Sequence, residues 1–373
     1  MRIFWFFFTS AFLLTFLSYA FIDPNFFPLS RIYSGFAFKD RGWTTLFYII
    51  LITCLYVGYL GIIRMYLKKK VNKAQIIGLF SISSVILLFS YPAMLSYDIF
   101  NYLTTAKVLF HYFENPYLVM PIEFVSDPNL LFTHAANKYA LYGPSWIAMT
   151  GLPYLLGLKN IILSIIGFKV FSILFFFATL SLIYKVSKNL YPVILFGLNP
   201  LVLIETLLSL HNDIVLTFFA VLSFYFLLNN KKIHSIFSLI FSVLIKYATL
   251  ALAPVYLYSF IKKMKKKELD QNQIFSLSSY SMLAVFFLST FREEIYPWYA
   301  IWFMLFAFLS KSKFLKGLSI ILPFFLLLRY VPFIYLGTHF GPTPAIKISL
   351  TFIPVLIYLI SFKFINKASI LQK

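Results

Sequence analysis

Long apolar stretches separated by short groups of basic residues form the dominant pattern of this 373-residue chain. A helix needs about 20 apolar residues to cross a hydrocarbon core of roughly 30 Å. Uncharged runs of that length are Ile3 to Ile22, Trp43 to Ile63, Ala74 to Tyr97 and Gln271 to Phe291, and other runs are interrupted by one charge or a proline. The pattern predicts an all-α polytopic membrane protein with about ten spans.

Composition supports the same class. Apolar residues make up 61% of the chain and charged residues 12%, which excludes an ordinary soluble domain. The first run follows Arg2 and resembles a signal peptide, but it has no small-residue cleavage site, so we interpret it as a retained anchor. Cys54 is the single cysteine, so neither a disulfide framework nor a cysteine metal site is expected.

The basic groups predict the orientation, because short cytoplasmic loops retain positive charge. Both termini are then cytoplasmic. This arrangement requires residues 143–157 to lie along the outer surface and residues 233–261 to form a pair of short helices that meet near Lys246. In an alternative topology, residues 144–158 cross the membrane. The basic groups are Arg64 to Lys73, Lys185 to Lys188, Lys231 and Lys232, Lys262 to Lys267, Lys311 to Lys316, and the tail from Lys363.

The net charge of +20 could suggest nucleic acid as a partner. In the predicted topology, however, most basic residues face anionic headgroups on the cytoplasmic side, so membrane lipids are the expected partner and nucleic acid is not. Among the carboxylates, only Glu268 and Asp270 fall on that side. Groups capable of proton chemistry therefore collect on the extracytoplasmic face, including the histidines His111, His134, His211 and His339.

One candidate for such chemistry is Asp98 in "SYDIFNYLTTAKVLFHYFENPY". Between Asp98 and Glu114, apolar residues recur every three or four positions, while Asp98, Asn101 and Thr105 fall on the opposite face. This pattern predicts an amphipathic helix in the plane of the outer interface. Asp98 could serve only as a helix cap, or it could be a catalytic carboxylate that also caps.

More motifs are expected on the same outer face. They are "ENPY" with Asn115 and Tyr117, "YGPSW" beginning at Tyr142, "HND" at positions 211 to 213, and "REEIYPWYAIW" from Arg292 to Trp302. Each motif alone is weak, since tyrosine and tryptophan are common in an ordinary interfacial aromatic belt. Their combination and order are more specific.

These motifs, together with a lysine in "IKYATLALAP", resemble the polyprenol-phosphate-mannose-dependent alpha-(1,6)-mannosyltransferases of the GT-C class over Tyr91 to Trp302. The resemblance implies a GT-C-like helical bundle in a single membrane domain, residues 1–373. Residues 1–73 would form two N-terminal spans, 74–310 the catalytic core, and 311–373 the C-terminal spans and tail. The chain departs from the family pattern in these two extra N-terminal spans and in Leu210, which stands where the family has glycine.

The resemblance also implies the roles of individual residues. Asp98 would be the catalytic base. The expected substrate-binding residues are Asn101, Tyr102, Asn115, Tyr117, Tyr142, His211, Asn212, Asp213, Lys246, Arg292, Trp298 and Tyr299.

A lipid-linked donor also agrees with what the chain lacks, because no glycine-rich strand-turn-helix motif is present to hold a nucleotide pyrophosphate. We therefore expect a polyprenyl-phosphate sugar donor, its phosphate near Lys246 or Arg292, and a glycan or glycolipid acceptor. No cofactor is expected. A divalent metal ion is possible, but His211 and Asp213 alone give it little support.

Charges within the apolar runs are costly in lipid and are further candidates. Glu205 could either pair with a cation to hold the bundle together or have a functional role. A membrane transporter or lipid flippase also carries such charges, but the acids here crowd one face and no internal repeat is visible. An acyltransferase would need a histidine-led motif, which the surroundings of His134 and His339 do not provide. The intramembrane charges are Lys169, Glu205, Lys246, Arg329 and Lys347.

Overall fold

The computed structural model describes residues 2–30, 35–291 and 294–371, and this part of the chain is helical without a strand. Short 3-10 turns connect several helices, and one π-helical turn spans Ile204–Leu208. The α-helices in chain order are α1 Arg2–Ser18, α2 Phe27–Ser30, α3 Phe36–Lys39, α4 Arg41–Leu67, α5 Lys73–Leu88, α6 Asp98–Phe110, α7 Pro144–Leu156, α8 Ile161–Ser187, α9 Leu190–Gly197, α10 Pro200–Leu203, α11 Asp213–Leu228, α12 Lys232–Ile245, α13 Ala253–Met264, α14 Gln271–Leu288, α15 Ala300–Leu309, α16 Lys313–Leu328, α17 Val331–Leu336 and α18 Thr343–Leu371.

Within the described residues, 6 helical segments are long and apolar enough to cross a membrane. A bent pair, Leu190–Gly197 with Pro200–Leu208, turns by 62° and would bring the number to 7 if it forms one span. These segments fit an integral membrane protein, but the predicted number of about ten spans is not confirmed. The segments are Arg2–Phe21, Arg41–Leu67, Ile161–Ser187, Gln271–Phe291, Lys313–Leu336 and Thr343–Phe364.

The predicted uncharged run from Ala74 to Tyr97 is not one helix. Helix α5 ends at Leu88, and a separate turn covers Pro92–Met94 before α6 begins. Proline lacks the backbone N–H that would continue the helical ladder, and Ser90 donates its hydroxyl hydrogen to the Leu87 carbonyl. Hydropathy alone missed this break because all the interrupting residues are uncharged.

Helix α6 was predicted as an amphipathic helix in the plane of the outer interface, an arrangement that would turn its polar face toward water, and this orientation of the polar face is wrong. Its polar face is buried: Asn101 and Thr105 are only 9% and 7% exposed. The loop between α6 and α7 covers this face, and the Asn101 side-chain oxygen accepts a hydrogen bond from the Ala135 backbone at 3.3 Å. The helix also ends at Phe110 rather than near Glu114. Its polar residues therefore face the protein interior.

The predicted interruption near Lys246 is present. Helix α12 ends at Ile245, Lys246 is extended, and a 3-10 turn over Tyr247–Leu252 leads into α13. The freed Ile245 carbonyl accepts a hydrogen bond from the Gly143 N–H at 3.1 Å. Gly143 is needed for this approach, because a Cβ atom there would lie 2.1 Å from the Leu244 carbonyl oxygen. The contact fixes the start of α7 beside the break that presents Lys246.

Candidate functional site

Asp98 is the first residue of α6, but its side chain does not cap the helix. Its own backbone N–H donates to the Ser96 hydroxyl at 3.3 Å. The expected capping role is therefore not seen. The carboxylate instead turns toward His211 and stays 26% exposed, so a ligand can reach it.

His211 lies between two carboxylates. Its Nδ1 is 3.3 Å from an Asp98 carboxylate oxygen, and its Nε2 is 3.3 Å from a Glu205 carboxylate oxygen. The His211 and Glu205 side chains are fully buried, whereas Asp98 opens to the surface. Since a neutral imidazole carries one N–H, it can donate to only one carboxylate at a time. The geometry forms a line of proton-accepting groups from the interior to an accessible carboxylate.

Glu205 is anchored at the inner end of that line. The Tyr330 hydroxyl donates to its second carboxylate oxygen at 2.9 Å. Sequence reasoning identified Glu205 as an intramembrane charge but did not place it beside His211. The six-residue separation becomes a contact because Glu205 lies in a π-helical turn and its carbonyl accepts from the His211 N–H at 2.9 Å. A π turn has no dependable sequence signal, although such turns often occur at functional sites.

Lys169 holds this turn in place from α8. Its ammonium donates to the carbonyls of Leu207 and Leu208 at 2.9 and 3.1 Å, to the Leu87 carbonyl at 3.1 Å, and to the Ser90 hydroxyl at 2.7 Å. The side chain is buried with these acceptors. Its charge thus joins the end of α5 to the segment that carries Glu205 and His211, and it has no access to a ligand.

Leu210, directly before His211, has a φ of +64°. This left-handed conformation costs a side chain with a Cβ roughly 1–2 kcal/mol, whereas glycine adopts it freely. The departure from the family's glycine therefore falls where glycine would be favoured. The leucine side chain is buried, so its packing offsets part of the cost.

An alanine variant is usually more stable than a glycine variant, and we expect this order of stability to be reversed at position 210. Leu210→Gly should be more stable than Leu210→Ala by about 1 kcal/mol, because both lose the buried side chain but only glycine relieves the strain. The control is Leu216, which is buried within α11, where glycine should be less stable than alanine by about 1 kcal/mol. Thermal unfolding in detergent measures the stability of all four variants. If alanine were more stable than glycine at both positions, the backbone of Leu210 would not be strained.

A second charged pair lies close to the first group. Lys246 is 3.0 Å from an Asp213 carboxylate oxygen, and the Trp302 indole N–H donates to the same oxygen. The lysine also lies over the Tyr299 and Trp302 rings, 4.7 and 5.4 Å from their centroids. These contacts hold the cation by charge and by cation–π attraction. Lys246 is therefore already balanced by an acid.

Asn212 connects the two groups. Its backbone N–H donates to the Tyr102 hydroxyl at 3.3 Å. Its side-chain oxygen and nitrogen are buried without a hydrogen-bond partner in the structure, as are one carboxylate oxygen of Asp213 and the Tyr142 hydroxyl. Buried polar atoms without partners are costly, so several unpaired together indicate a place where a polar ligand could bind.

Aromatic rings form one wall of the site. Trp298 stacks on His211 with centroids 3.7 Å apart, and Tyr296 also stacks on Trp298, with centroids 4.5 Å apart. Tyr102 packs edge-to-face against Tyr142 at 4.7 Å. Stacked indole and imidazole rings fix the imidazole plane, and an aromatic wall suits the apolar face of a sugar.

Most of the predicted site residues come together, but not all. Tyr117 contacts the group only indirectly, by donating its hydroxyl hydrogen to the Tyr142 carbonyl at 2.7 Å. Asn115 turns back on its own loop and accepts from the Tyr117 N–H at 3.0 Å. Arg292 lies outside the described residues. Tyr330 was not predicted, because only the folded chain brings it to Glu205. Tyr296 belongs to the predicted "REEIYPWYAIW" motif but was not selected individually.

The surroundings of Asp98 favour its ionised form. Burial acts to raise the pKa of this carboxyl, but the neighbouring His211 and the charge of Lys246 outweigh it, so the pKa is lowered. The pKa of the Tyr142 hydroxyl is raised, chiefly by burial and further by the charge of Asp98. The partly exposed Asp98 carboxylate is therefore favoured in the ionised form, in which it can accept a proton.

A metal ion has no evident place among the described residues. Nowhere in residues 2–30, 35–291 and 294–371 do three or more His, Cys, Asp or Glu side chains form a group that could hold one.

Comparison with known proteins agrees with the resemblance inferred from the motifs. A family model described as "Alpha-(1->6)-mannopyranosyltransferase, N-terminal domain" matches residues 28–261, well over half of the chain. The match includes Asp98, His211 and Lys246, whereas Trp298 lies beyond it. No curated protein and no solved structure matches the chain. The family match shows that the chain belongs to the alpha-(1->6)-mannopyranosyltransferase family.

Proposed function

We propose that this protein transfers a mannosyl residue from a polyprenyl-phosphate donor to a hydroxyl of a glycan or glycolipid acceptor, on the extracytoplasmic side of the membrane, with Asp98 as the base. The observation that carries this proposal is the position of Asp98, a partly exposed carboxylate with a lowered pKa that His211 orients. In a mannosyltransferase family, such a group suits deprotonation of the acceptor.

The proposed step has a simple balance. The acceptor oxygen forms a bond to the anomeric carbon, and the bond from that carbon to the phosphate oxygen breaks, so polyprenyl phosphate leaves. The acceptor proton passes to Asp98. An oxocarbenium-like transition state is expected, as in other transfers at an anomeric carbon. His211 keeps the Asp98 carboxylate in position and ionised until the acceptor binds.

A lipid-linked donor is supported by the kind of fold. The described residues contain no strand, and hence no strand-turn-helix that could cradle a nucleotide pyrophosphate. Apolar helices can hold a polyprenyl tail while its phosphate stays at the headgroup level.

The experiment compares two donors with the purified full-length protein in liposomes. Mannose labelled on polyprenyl phosphate should pass to an alkyl mannoside acceptor, and the same label on a nucleotide should not. Transfer from the nucleotide would refute the lipid-linked donor. Movement of the intact labelled lipid across the bilayer, without a new glycosidic bond, would identify a flippase instead.

The proposed orientation gives a separate prediction. Single cysteines replacing Lys68, Lys188 or Lys265 should react only with reagents on the cytoplasmic side, and cysteines replacing His134 or Gly341 only from outside. The background is a variant in which Cys54 is replaced by serine. Outward labelling at position 188 would contradict the extracytoplasmic placement of His211.

A further inference from the structure

A cluster of two cations and one acid lies outside the group around Asp98. Arg329 follows the last residue of α16, and Lys347 belongs to the first turns of α18. Both bind one carboxylate oxygen of Glu294, at 3.0 Å from Arg329 and 2.8 Å from Lys347. The cations are buried, only 3% and 8% exposed, while the Glu294 side chain is 37% exposed. We call these three residues the Arg329 cluster.

The charges of the Arg329 cluster do not balance. Two cations share one carboxylate, so the cluster carries one positive charge in excess. Arg329 also donates to the Lys347 carbonyl and the Thr351 hydroxyl, but its Nε is buried without a hydrogen-bond partner in the structure. Buried cations at the ends of apolar helices are costly and often mark a site for an ion or substrate. Lys246, in contrast, pairs with Asp213 alone, so the two charges cancel.

The two helices that hold the cations of the Arg329 cluster, α16 and α18, also form an apolar groove. It lies between α16 and α18, has a volume of about 370 Å³, and is lined mainly by apolar side chains, among them Phe325, Ile346, Leu350 and Ile353. Leu350 immediately precedes Thr351, which accepts a hydrogen bond from Arg329. The groove and the cations are therefore at the same level of the helix pair.

The Arg329 cluster is also connected to the proposed catalytic group. Tyr330 follows Arg329 in the chain, and its hydroxyl hydrogen bonds to Glu205 at 2.9 Å. Glu205 in turn faces His211. A phosphate held at Arg329 would thus be linked through Tyr330 to the Glu205–His211 pair.

We propose that Arg329 and Lys347 bind the phosphate of the polyprenyl-phosphate donor, and that the groove between α16 and α18 holds the adjoining part of its single isoprenoid chain. This inference rests on the proposed function. Arginine and lysine are the usual partners of phosphate, and an excess positive charge beside an apolar groove matches an anion joined to an apolar chain. In the free protein, the Glu294 carboxylate occupies the place of the phosphate oxygens.

Binding of a fluorescent polyprenyl monophosphate that carries no sugar tests the inference. The full-length protein is placed in phosphatidylcholine nanodiscs. Lys347→Gln should weaken binding about tenfold or more, because one charge-assisted hydrogen bond to phosphate is lost. Glu294→Gln should strengthen it, because a competing carboxylate is removed. Leu350→Trp should weaken it by filling the groove.

The matched control is Lys185→Gln, which removes the same charge from an exposed position at the end of α8. It should leave binding unchanged. Thermal unfolding confirms that each variant is folded. Glu294→Gln tests whether the Arg329 cluster is purely structural, since loss of a structural ion pair would not tighten binding. Unchanged binding in folded Lys347→Gln would overturn the inference. So would equal competition by phosphatidic acid, which would show a general phospholipid site.

The inference and the proposed function can fail separately. Binding of the sugar-free lipid requires no transfer, so it tests the site whether or not the protein is a transferase. If the wild-type protein transfers mannose from polyprenyl phosphate and Lys347→Gln leaves the donor KM unchanged, the site is wrong and the function stands. If no lipid-linked mannose is transferred, the function is wrong and the binding data still decide the site.

Discussion

Asp98→Asn is expected to lower the rate of sugar transfer by about a hundredfold or more, because asparagine cannot accept the acceptor's proton. The fold should be kept, since the Asp98 side chain makes no capping bond that asparagine would lose. The rate is measured per folded protein with mannose labelled on polyprenyl phosphate, and thermal unfolding in detergent reports the fold. A mere structural carboxylate would show the opposite result, with lower stability and a preserved rate.

Asp127→Asn is the matched control for this variant. Asp127, like Asp98, has a basic side chain as its neighbour, since it lies 2.7 Å from the Lys107 ammonium. It is buried, however, and belongs to the loop between α6 and α7. Its loss should reduce stability while transfer per folded protein stays near the wild-type rate. If Asp98→Asn also transferred sugar at nearly the wild-type rate, Asp213 would become the next candidate for the base.

His211→Phe is expected to have the second largest effect, a loss in rate of roughly tenfold to a hundredfold, at the lower end of what general acid–base groups contribute. Phenylalanine keeps a flat ring to stack on Trp298 but removes both nitrogens. The base then loses the group that orients it, and Glu205 is left buried without the imidazole. Stability should fall as well, since a buried carboxylate that keeps only the Tyr330 hydroxyl as a partner is costly.

The dependence of the rate on pH shows whether His211 positions the base or only packs against its neighbours. His211 lowers the pKa of Asp98, and the base must be ionised to act. Without His211 that pKa rises, so the rate should be lost at a higher pH on the acid side than in the wild type. Adding Glu205→Gln to His211→Phe should recover stability without recovering the rate. If His211→Phe changed neither the rate nor the pH at which the rate is lost on the acid side, the histidine would serve only as a packing residue.

Sequence reasoning found residues that proved to be neighbours although they are distant in the chain. Asp98, His211, Asp213 and Lys246 were all selected from motifs. The structure brings Asp98 to within 3.3 Å of His211 and joins Asp213 to Lys246 in an ion pair. Such motifs can be recognised from the sequence because ionisable residues stand out in an apolar chain. Composition and charge clusters similarly sufficed to predict a helical membrane protein.

Other features depend on contacts between distant segments and could not be predicted. The burial of Asn101 requires the loop that carries Ala135 to fold over α6. The position of Glu205 requires a π turn, and Lys169 stabilises that turn through carbonyls that no sequence pattern reveals. Leu210 follows this turn in a left-handed conformation. The leucine itself gives no sign of that conformation, and only the glycine that the family has at this position hints at it.

The proposed reaction requires Asp98 to accept a proton rather than only to position the substrate. The most direct measurement compares two acceptor mannosides that differ by a fluorine next to the attacking hydroxyl, which makes that hydroxyl more acidic. An acidic hydroxyl needs less help from a base. If Asp98 accepts the proton, the ratio of the wild-type rate to the Asp98→Asn rate should be severalfold smaller with the fluorinated acceptor. An equal ratio with both acceptors would contradict this role of Asp98.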